Sequence, residues 1–318
     1  MKILWITKIA SKNLTGGTKV SWNYRNELSR FSDLKTIARI DLENNSSINR
    51  IKFIKILFKL RKEKFDYVFF DDHYCSMSLF FINHNKKMFY HGNWPDLMFT
   101  SILYFIKGLY LFPQYLLGIK LCQEVIFVNP YFEKRFSFLT KKTITLFNPL
   151  DIFLKERKDF NFNKNEILMV GNVDSRKYKN LIKLLKSNNI NDKKFIIYGK
   201  IIDKTIEKKL RIYPNVEFKG LVDRIPYENY FIHFNCSEAE NLPLSLFESL
   251  KNGLMCIYPK SDNYSFMFGN SKIYFYEDIK KLENNNFVYS HNLVSENIAY
   301  FLSATYKQNL EKLFNKKI

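Results

Sequence analysis

Apolar residues along the 318-residue chain gather in short β-branched and aromatic runs, separated by longer stretches in which they recur every three or four positions. A run of four to eight such residues suits a strand covered on both faces, and the longer period suits the helices that cover it. The expected strands of the first half are residues 3–7, 35–40, 66–71, 87–91, 124–129 and 143–148. The alternation pauses over residues 155–165, a polar stretch without apolar period that marks a linker. It then resumes with strands at 167–170, 195–198, 216–219, 232–235, 255–258 and 272–276, and residues 295–314 carry the pattern of one long terminal helix. Strand and helix in strict alternation, run twice, predict an α/β chain of two doubly wound domains. Ligands of such folds sit at the carboxyl ends of the strands, so a site in the cleft between the domains is expected.

Two segments of the first half depart from the ordinary helix pattern. Residues 101–122 are apolar enough to cross a bilayer, but Lys107, Pro113 and Lys120 interrupt them, which favours a buried or membrane-docked helix pair. Residues 50–64 hold seven basic residues and one Glu. In helical register Lys52, Lys55, Lys59 and Lys62 share one face, and Phe53, Ile56, Leu57 and Leu60 share another. That face is either the wet side of a sheet-packed helix or a patch for anionic lipid headgroups, where each Lys or Arg contributes about 1 kcal/mol.

Charge sharpens this picture. The 50 Lys and Arg against 31 Asp and Glu give +19, and residues 1–150 carry 23 basic and 11 acidic residues, leaving 27 and 20 for the rest. An AT-rich coding sequence produces the same enrichment in Lys, Asn, Ile, Phe and Tyr, so the distribution says more than the total. A polyanionic partner is implied, yet no RNP, KH, zinc-finger or helix-turn-helix pattern is present, and nucleic acid is not expected. Four cysteines, Cys75, Cys122, Cys236 and Cys256, contain no C-x-x-C pair, which excludes a disulfide scaffold or zinc ribbon and suits a reducing compartment. The N-terminus, with its short apolar run followed by Lys8 and Lys12, suits a first strand and not a cleavable signal. A cytoplasmic protein, peripheral on the inner face of the plasma membrane, is the expectation.

The chemistry concentrates in residues 237–253, SEAENLPLSLFESLKNG, which follow a strand, turn through Asn241 and Pro243, and enter a helix ended by Gly253. Helix amides opening at Leu244 can stabilise an anion, and Glu240 and Glu248 can accept hydroxyl hydrogen bonds from one ligand. Elsewhere, a capping carboxylate plus a surface Glu would explain two such residues. Here the stretch resembles the E-x7-E signature of retaining glycosyltransferases with two Rossmann-like domains, the GT-B fold, and family 4 in particular. Ser237, Glu240, Glu248 and Gly253 match in register, whereas Asn241, Leu242 and Pro243 replace the family's Gly-Phe-Gly. Glu238 rivals Glu240, but its spacing to Glu248 is wrong. The resemblance implies that Glu240 contacts the donor sugar and Glu248 the nucleotide ribose.

Weaker matches extend over most of the chain. Gly171-Asn172 followed by Arg176-Lys177-Tyr178-Lys179 resembles the segment in which an Arg and a Lys clamp the donor diphosphate, which implies Arg176 with Lys179, and Lys177 as substitute. Gly16-Gly17 resembles the family's Gly-Gly loop after the first strand, and His91 its histidine near the transferred sugar. Phe147 to Asp151 resembles the exit of the first domain, and Gly220-Leu221 the nucleotide-base loop. The resemblance as a whole implies a metal-independent, hexosyltransferase-like enzyme that moves sugar from a UDP- or GDP-type nucleotide diphosphate donor, with no other cofactor. Its acceptor would be a glycan or lipid-linked hydroxyl in bacterial surface polysaccharide synthesis. The implied domains are an acceptor-side domain over 1–154, a nucleotide-sugar domain over 155–294, and a helix over 295–318 packing back toward the first. A non-catalytic basic two-domain binding protein, or a partner subunit of a transferase, is the alternative. The Asp71-Asp72-His73 cluster closes a first-domain strand, away from the expected donor side, and no metal ligand set is assigned.

Overall fold

The computed structural model describes residues 1–11, 17–41, 46–149, 165–186, 192–237, 239–259, 264, 274–275 and 305–315. They divide into two compact units. The first takes Met1–Met98, Ile102–Pro149 and the C-terminal helix, and the second takes the described residues from 165 to 275 together with Phe99–Ser101.

The first unit runs β1 (Lys2–Ala10), α1 (Gly17–Leu28), β2 (Asp33–Asp41), β3 (Ser46–Ser47), α2 (Arg50–Leu60), β4 (Tyr67–Asp71), a 3₁₀ segment (Asp72–Phe80), β5 (Lys86–Tyr90), α3 (Ile102–Leu121), β6 (Glu124–Phe127), α4 (Pro130–Phe136) and β7 (Thr143–Thr145). Its sheet has the order β3-β2-β1-β4-β5-β6-β7 and is parallel except for the two-residue edge strand β3. Side-chain alternation sends neighbouring residues to opposite faces. On one face Trp5 stacks on Phe69 at 4.9 Å and on Phe89 at 5.2 Å, and Tyr24 of α1 packs on Phe89. The C-terminal helix Tyr306–Phe314 closes this face. Phe314 meets Tyr67 and Phe69 edge-on, and the buried Asn309 amide donates to the Tyr24 hydroxyl at 2.7 Å and to the Phe147 carbonyl at 2.9 Å. On the other face Phe70 meets Phe81, while Tyr90 meets Tyr115 of α3 and Phe132 and Phe136 of α4. Phe53 of α2 packs on Tyr74, so α2, the 3₁₀ segment, α3 and α4 form one layer.

Each strand expected in this half is present. The small strand β3 was not foreseen, since two serines carry no hydrophobic pattern. The expected helix pair over 101–122 is instead one helix with Pro113 inside it. Proline removes one backbone donor, but Pro113 is exposed, and the helix is anchored on both sides of it by Gly108 against Met98 and Gly118 against Cys75.

The second unit runs β8 (Glu166–Val170), α5 (Ser175–Lys186), β9 (Lys194–Tyr198), α6 (Lys204–Leu210), β10 (Val216–Gly220), β11 (Ile232–Phe234), α7 (Leu244–Lys251), β12 (Met255–Tyr258) and β13 (Tyr274–Phe275). All its pairings are parallel in the order β10-β9-β8-β11-β12-β13. Ile167, Met169, Phe195, Ile197, Ile232, Phe234 and Ile257 face one core with Tyr178, Leu181 and Leu185 of α5. The chain winds outward from β8 through β9 to β10, then crosses to β11 on the other side, so the winding reverses between β8 and β11. A reversal of this kind opens a crevice at the strands' carboxyl ends. The linker expected at 155–165 falls outside the described residues except for Asn165, as does the closing helix before 305.

Candidate functional site

The segments leaving β8 and β11, either side of that reversal, meet in a compact charge cluster. Gly171 directly follows β8, with φ of +140°, a conformation open to glycine and strained for other residues. A Cβ there would lie 2.6 Å from the Lys177 ammonium, so the bare backbone leaves room for the lysine tip. Asp174 caps α5: its carboxylate accepts from the Lys177 backbone N–H at 3.0 Å and its carbonyl from Tyr178 N–H at 3.0 Å. The capped first turn aims Arg176 and Lys177 at Glu240. Arg176 Nη1 donates to Glu240 Oε1 at 3.0 Å and to the Ala239 carbonyl at 3.0 Å, and Lys177 Nζ lies 3.1 Å from the same carboxylate oxygen.

The segment carrying Glu240 is itself tied down. The Cys236 thiol donates to the Lys177 carbonyl, Asn180 Nδ2 to the Cys236 carbonyl at 3.1 Å, and the Tyr264 hydroxyl to the Ser237 carbonyl at 2.9 Å. The Glu240 side chain is only 12% exposed. Burial by itself opposes its ionisation, but the Arg176 and Lys177 cations, with hydrogen bonds from Lys177 and Ser237, outweigh burial and hold the carboxyl below the usual carboxylate range. Asp174 Oδ2 lies 3.9 Å from Arg176 Nη2, so two cations stand against two carboxylates, with Glu240 the one they share.

Glu248, on α7, sits differently. Its Oε2 accepts from the Tyr227 hydroxyl at 2.6 Å, and burial, reinforced by Glu248, pushes the Tyr227 phenol well above its ordinary range. α7 opens at Leu244 after the buried Pro243, whose carbonyl accepts from Leu246 and Phe247 N–H. The leading amides of such a helix have no carbonyl of their own helix to bond. Asn241 is buried, and Leu242 is half-buried. Behind them, His233 shares a hydrogen bond with Ser249 at 2.6 Å, and its pKa is pushed down to about 3 by burial and then by Lys177, so it is a neutral core group.

Sequence reasoning paired Arg176 with Lys179; the structure joins Arg176 and Lys177 to Glu240, with Lys179 half-buried on the same helix and outside this cluster. Gly220, at φ +72°, and the exposed Leu221 stand at the end of β10, two strands from β8. Glu238 and Gly16 lie outside the described residues. Asp174, Tyr227 and Tyr264 were not singled out from sequence. Asp174 had a legible signal, an acidic residue one position before a helix; the two tyrosines had none.

The first unit has its own strand-end group, where its winding reverses between β1 and β4. Asp71 ends β4, and its Oδ2 accepts from Ser21 Oγ of α1 at 2.6 Å. His91 follows β5 and stacks on Phe89 at 5.5 Å. A Cβ on Gly17 would sit 3.2 Å from His91 Cβ, so α1 starts hard against the imidazole. Burial lowers the His91 pKa, and Asp71 partly opposes it. Asp71, set aside in sequence as remote from the donor, is thus the carboxylate that acts on His91. Among the described residues no group of three or more His, Cys, Asp or Glu is placed to hold a metal ion.

No family model matches the chain, and no curated protein matches it in sequence. Solved structures do match over its whole length. A sucrose-phosphate synthase from Thermosynechococcus elongatus superposes with TM-score 0.69 at 13% identity, covering 99% of this chain and 98% of its own. HepE from Anabaena, solved with UDP and glucose, gives 0.68 at 12%, and the lipopolysaccharide outer core galactosyltransferase WaaB gives 0.66 at 14%, each covering 99% of both chains. The fold is GT-B. At these identities the likeness carries the architecture, and GT-B folds place two Rossmann-like units in one chain, as found here. What the chain does must come from its own residues.

Proposed function

We propose that this chain is a glycosyltransferase that moves a sugar from a nucleotide diphosphate donor to a hydroxyl of a glycan or lipid-linked acceptor, with retention of configuration, in the manner of family 4. The observation that carries this reading is the Arg176–Lys177–Glu240 cluster at the winding reversal of the second unit, four residues ahead of the α7 N-terminus. Breaking a sugar–diphosphate bond builds charge on the departing diphosphate, and a guanidinium, an ammonium and free helix amides are the groups that stabilise it. Glu240 keeps both cations oriented and offers its second oxygen to sugar hydroxyls. Glu248, oriented by Tyr227, takes the ribose hydroxyls. With Glu240 engaged by two cations, a covalent sugar ester on it is disfavoured, and front-face attack by the acceptor follows, its proton passing to the leaving diphosphate. The first unit is assigned the acceptor, with neutral His91 beside the transferred sugar. Cationic side chains take the part that a divalent metal plays in other transferases, so the reaction is proposed to be metal-independent. UDP complexes among the fold's members, HepE included, support a UDP-type donor.

Thermal shift with UDP, GDP and their sugars, followed by turnover across a nucleotide-sugar panel, tests the proposal. A donor that binds the native state raises Tm with the logarithm of its concentration above Kd. The expected result is stabilisation and sugar release with one nucleotide class, unchanged by EDTA. A chain that neither gains stability nor releases sugar with any donor is a binding or partner subunit instead.

A further inference from the structure

The large apolar side chains exposed to solvent are distributed unevenly. Ile51 and Phe58 on α2, Leu79 and Ile82 around the 3₁₀ segment, six residues on α3 and Phe138 after α4 all belong to one helical layer of the first unit, whereas the described residues of the second unit expose only Phe99, just ahead of α3, and Ile202, Ile212 and Leu221. The concentration peaks on α3. Ile102 is 81% exposed, Leu103 58%, Ile106 61%, Leu109 60% and Tyr110 63%, with Phe105 at 43%. In helical register these fall on one side, opposite the buried Gly108, Tyr115, Gly118 and Ile119. A water-facing helix normally shows the reverse pattern. An apolar face of this size marks an interaction surface.

We propose that this layer docks on an anionic lipid bilayer, with the amino-terminal half of α3 seated among the acyl chains near the headgroups. Charge selects the bilayer over other occupants. α2 and α3 together contain Arg50, Lys52, Lys55, Lys59, Lys107 and Lys120 and no acidic residue. The lysines named are exposed. A second copy of the chain would bring like charges to the same face, whereas anionic headgroups oppose and neutralise them. Tyr104 and Tyr110 supply the amphipathic rings that suit the headgroup level, and Lys107 lies over the Tyr104 ring. α3 is long and apolar enough to cross a bilayer, but Gly108 against Met98 and Gly118 against Cys75 fix one side of it to the protein. The helix therefore lies along the surface. In sequence both the lysine face of 50–64 and the apolar segment 101–122 were docking candidates; the exposure of α3 makes it the main contact in this proposal, with α2 as its electrostatic flank.

Vesicle co-sedimentation of the full chain decides this, using phosphatidylcholine alone and phosphatidylcholine mixed with phosphatidylglycerol. The parent should bind the anionic vesicles well above the neutral ones. Leu103→Gln with Ile106→Gln and Leu109→Gln, all surface positions, should weaken that binding by roughly tenfold or more while Tm holds, because three inserted side chains are lost. Lys52→Gln with Lys55→Gln and Lys59→Gln should weaken it less and reduce its salt dependence. Absence of vesicle binding by the parent, equal binding to both vesicle types, or undiminished binding by the α3 variant overturns the proposal. So does a concentration-dependent dimer that the α3 variant converts to monomer without any vesicle binding, which would make the face a contact between copies. Nucleotide-sugar binding is read separately and does not bear on these outcomes.

Discussion

Each unit places polar groups where the winding of its sheet reverses, yet the two collections differ in kind. Beside β8 and β11 of the second unit, two cationic side chains share one carboxylate oxygen as a hub: Arg176 at 3.0 Å and Lys177 at 3.1 Å from Glu240 Oε1. Beside β4 and β5 of the first unit stands an imidazole whose pKa burial has lowered, stacked on Phe89, with Asp71 turned toward Ser21. One site is built to hold charge and the other to stay neutral. The same sheet geometry supports both, because strand ends fix only where residues stand; burial and partners decide what they do.

The cations of the second unit carry the largest expected effect. Arg176→Ala with Lys177→Ala should cut transfer by roughly a thousandfold, since loss of one preorganised charge-stabilising donor costs about 10²–10³. Glu240→Gln, which leaves the cations but removes their hub, should cost less, on the order of 1.5–3 kcal/mol in transition-state stabilisation. Steady-state kinetics on the three proteins checks the order. If Lys179→Ala proves as damaging as the double variant while Lys177→Ala is silent, the cluster is scaffolding and the diphosphate is held elsewhere.

The charged site was more legible in sequence than the neutral one, for a physical reason. Glu240, Glu248 and the basic run after Gly171 lie within two short segments, so spacing along the chain reports spacing in the fold. Periodicity likewise exposed the strands, because buried parallel strands need unbroken apolar runs. What escaped were relations across elements: the approach of Lys177 to Glu240 depends on the bare Gly171 beside it, Tyr227 reaches Glu248 from another loop, and Asp71 reaches His91 from a neighbouring strand. The exposed face of α3 escaped for the opposite reason. Its residues are apolar all round, and only the fold shows which side lacks cover.

Gly171→Ala tests how the backbone of the charged site places Lys177. The backbone at φ +140° is open to glycine, and a methyl group would crowd the Lys177 tip. Strain of this type costs on the order of 1–3 kcal/mol. A lowered Tm accompanied by weaker donor binding is expected, whereas a lowered Tm with unchanged donor affinity would separate Lys177 from the donor.

The smallest effect concerns acid. Glu240 has its folded pKa below the ordinary 4.5, so the unfolded chain binds more protons in the acidic range. The stability that this group contributes is therefore complete above about pH 4.5 and is lost as pH falls through its folded value. Glu240→Gln removes that dependence: the variant should be less stable than the parent near neutrality, where the two cations lose their shared counterion and Arg176 keeps only the longer contact to Asp174, and the gap should narrow as pH drops. His91 carries the same sign, because its folded pKa is also lowered and protonation again favours the unfolded chain as pH falls. Burial keeps it neutral to below the ordinary 6.5, and Asp71→Asn, by removing the charge that raises it, should move the acid limb of the transfer rate to lower pH. Thermal melts across the acidic range and a pH–rate profile of the Asp71 variant read the two groups independently. A gap between parent and Glu240→Gln that widens toward acid would mean that burial, and not the two cations, governs that carboxyl.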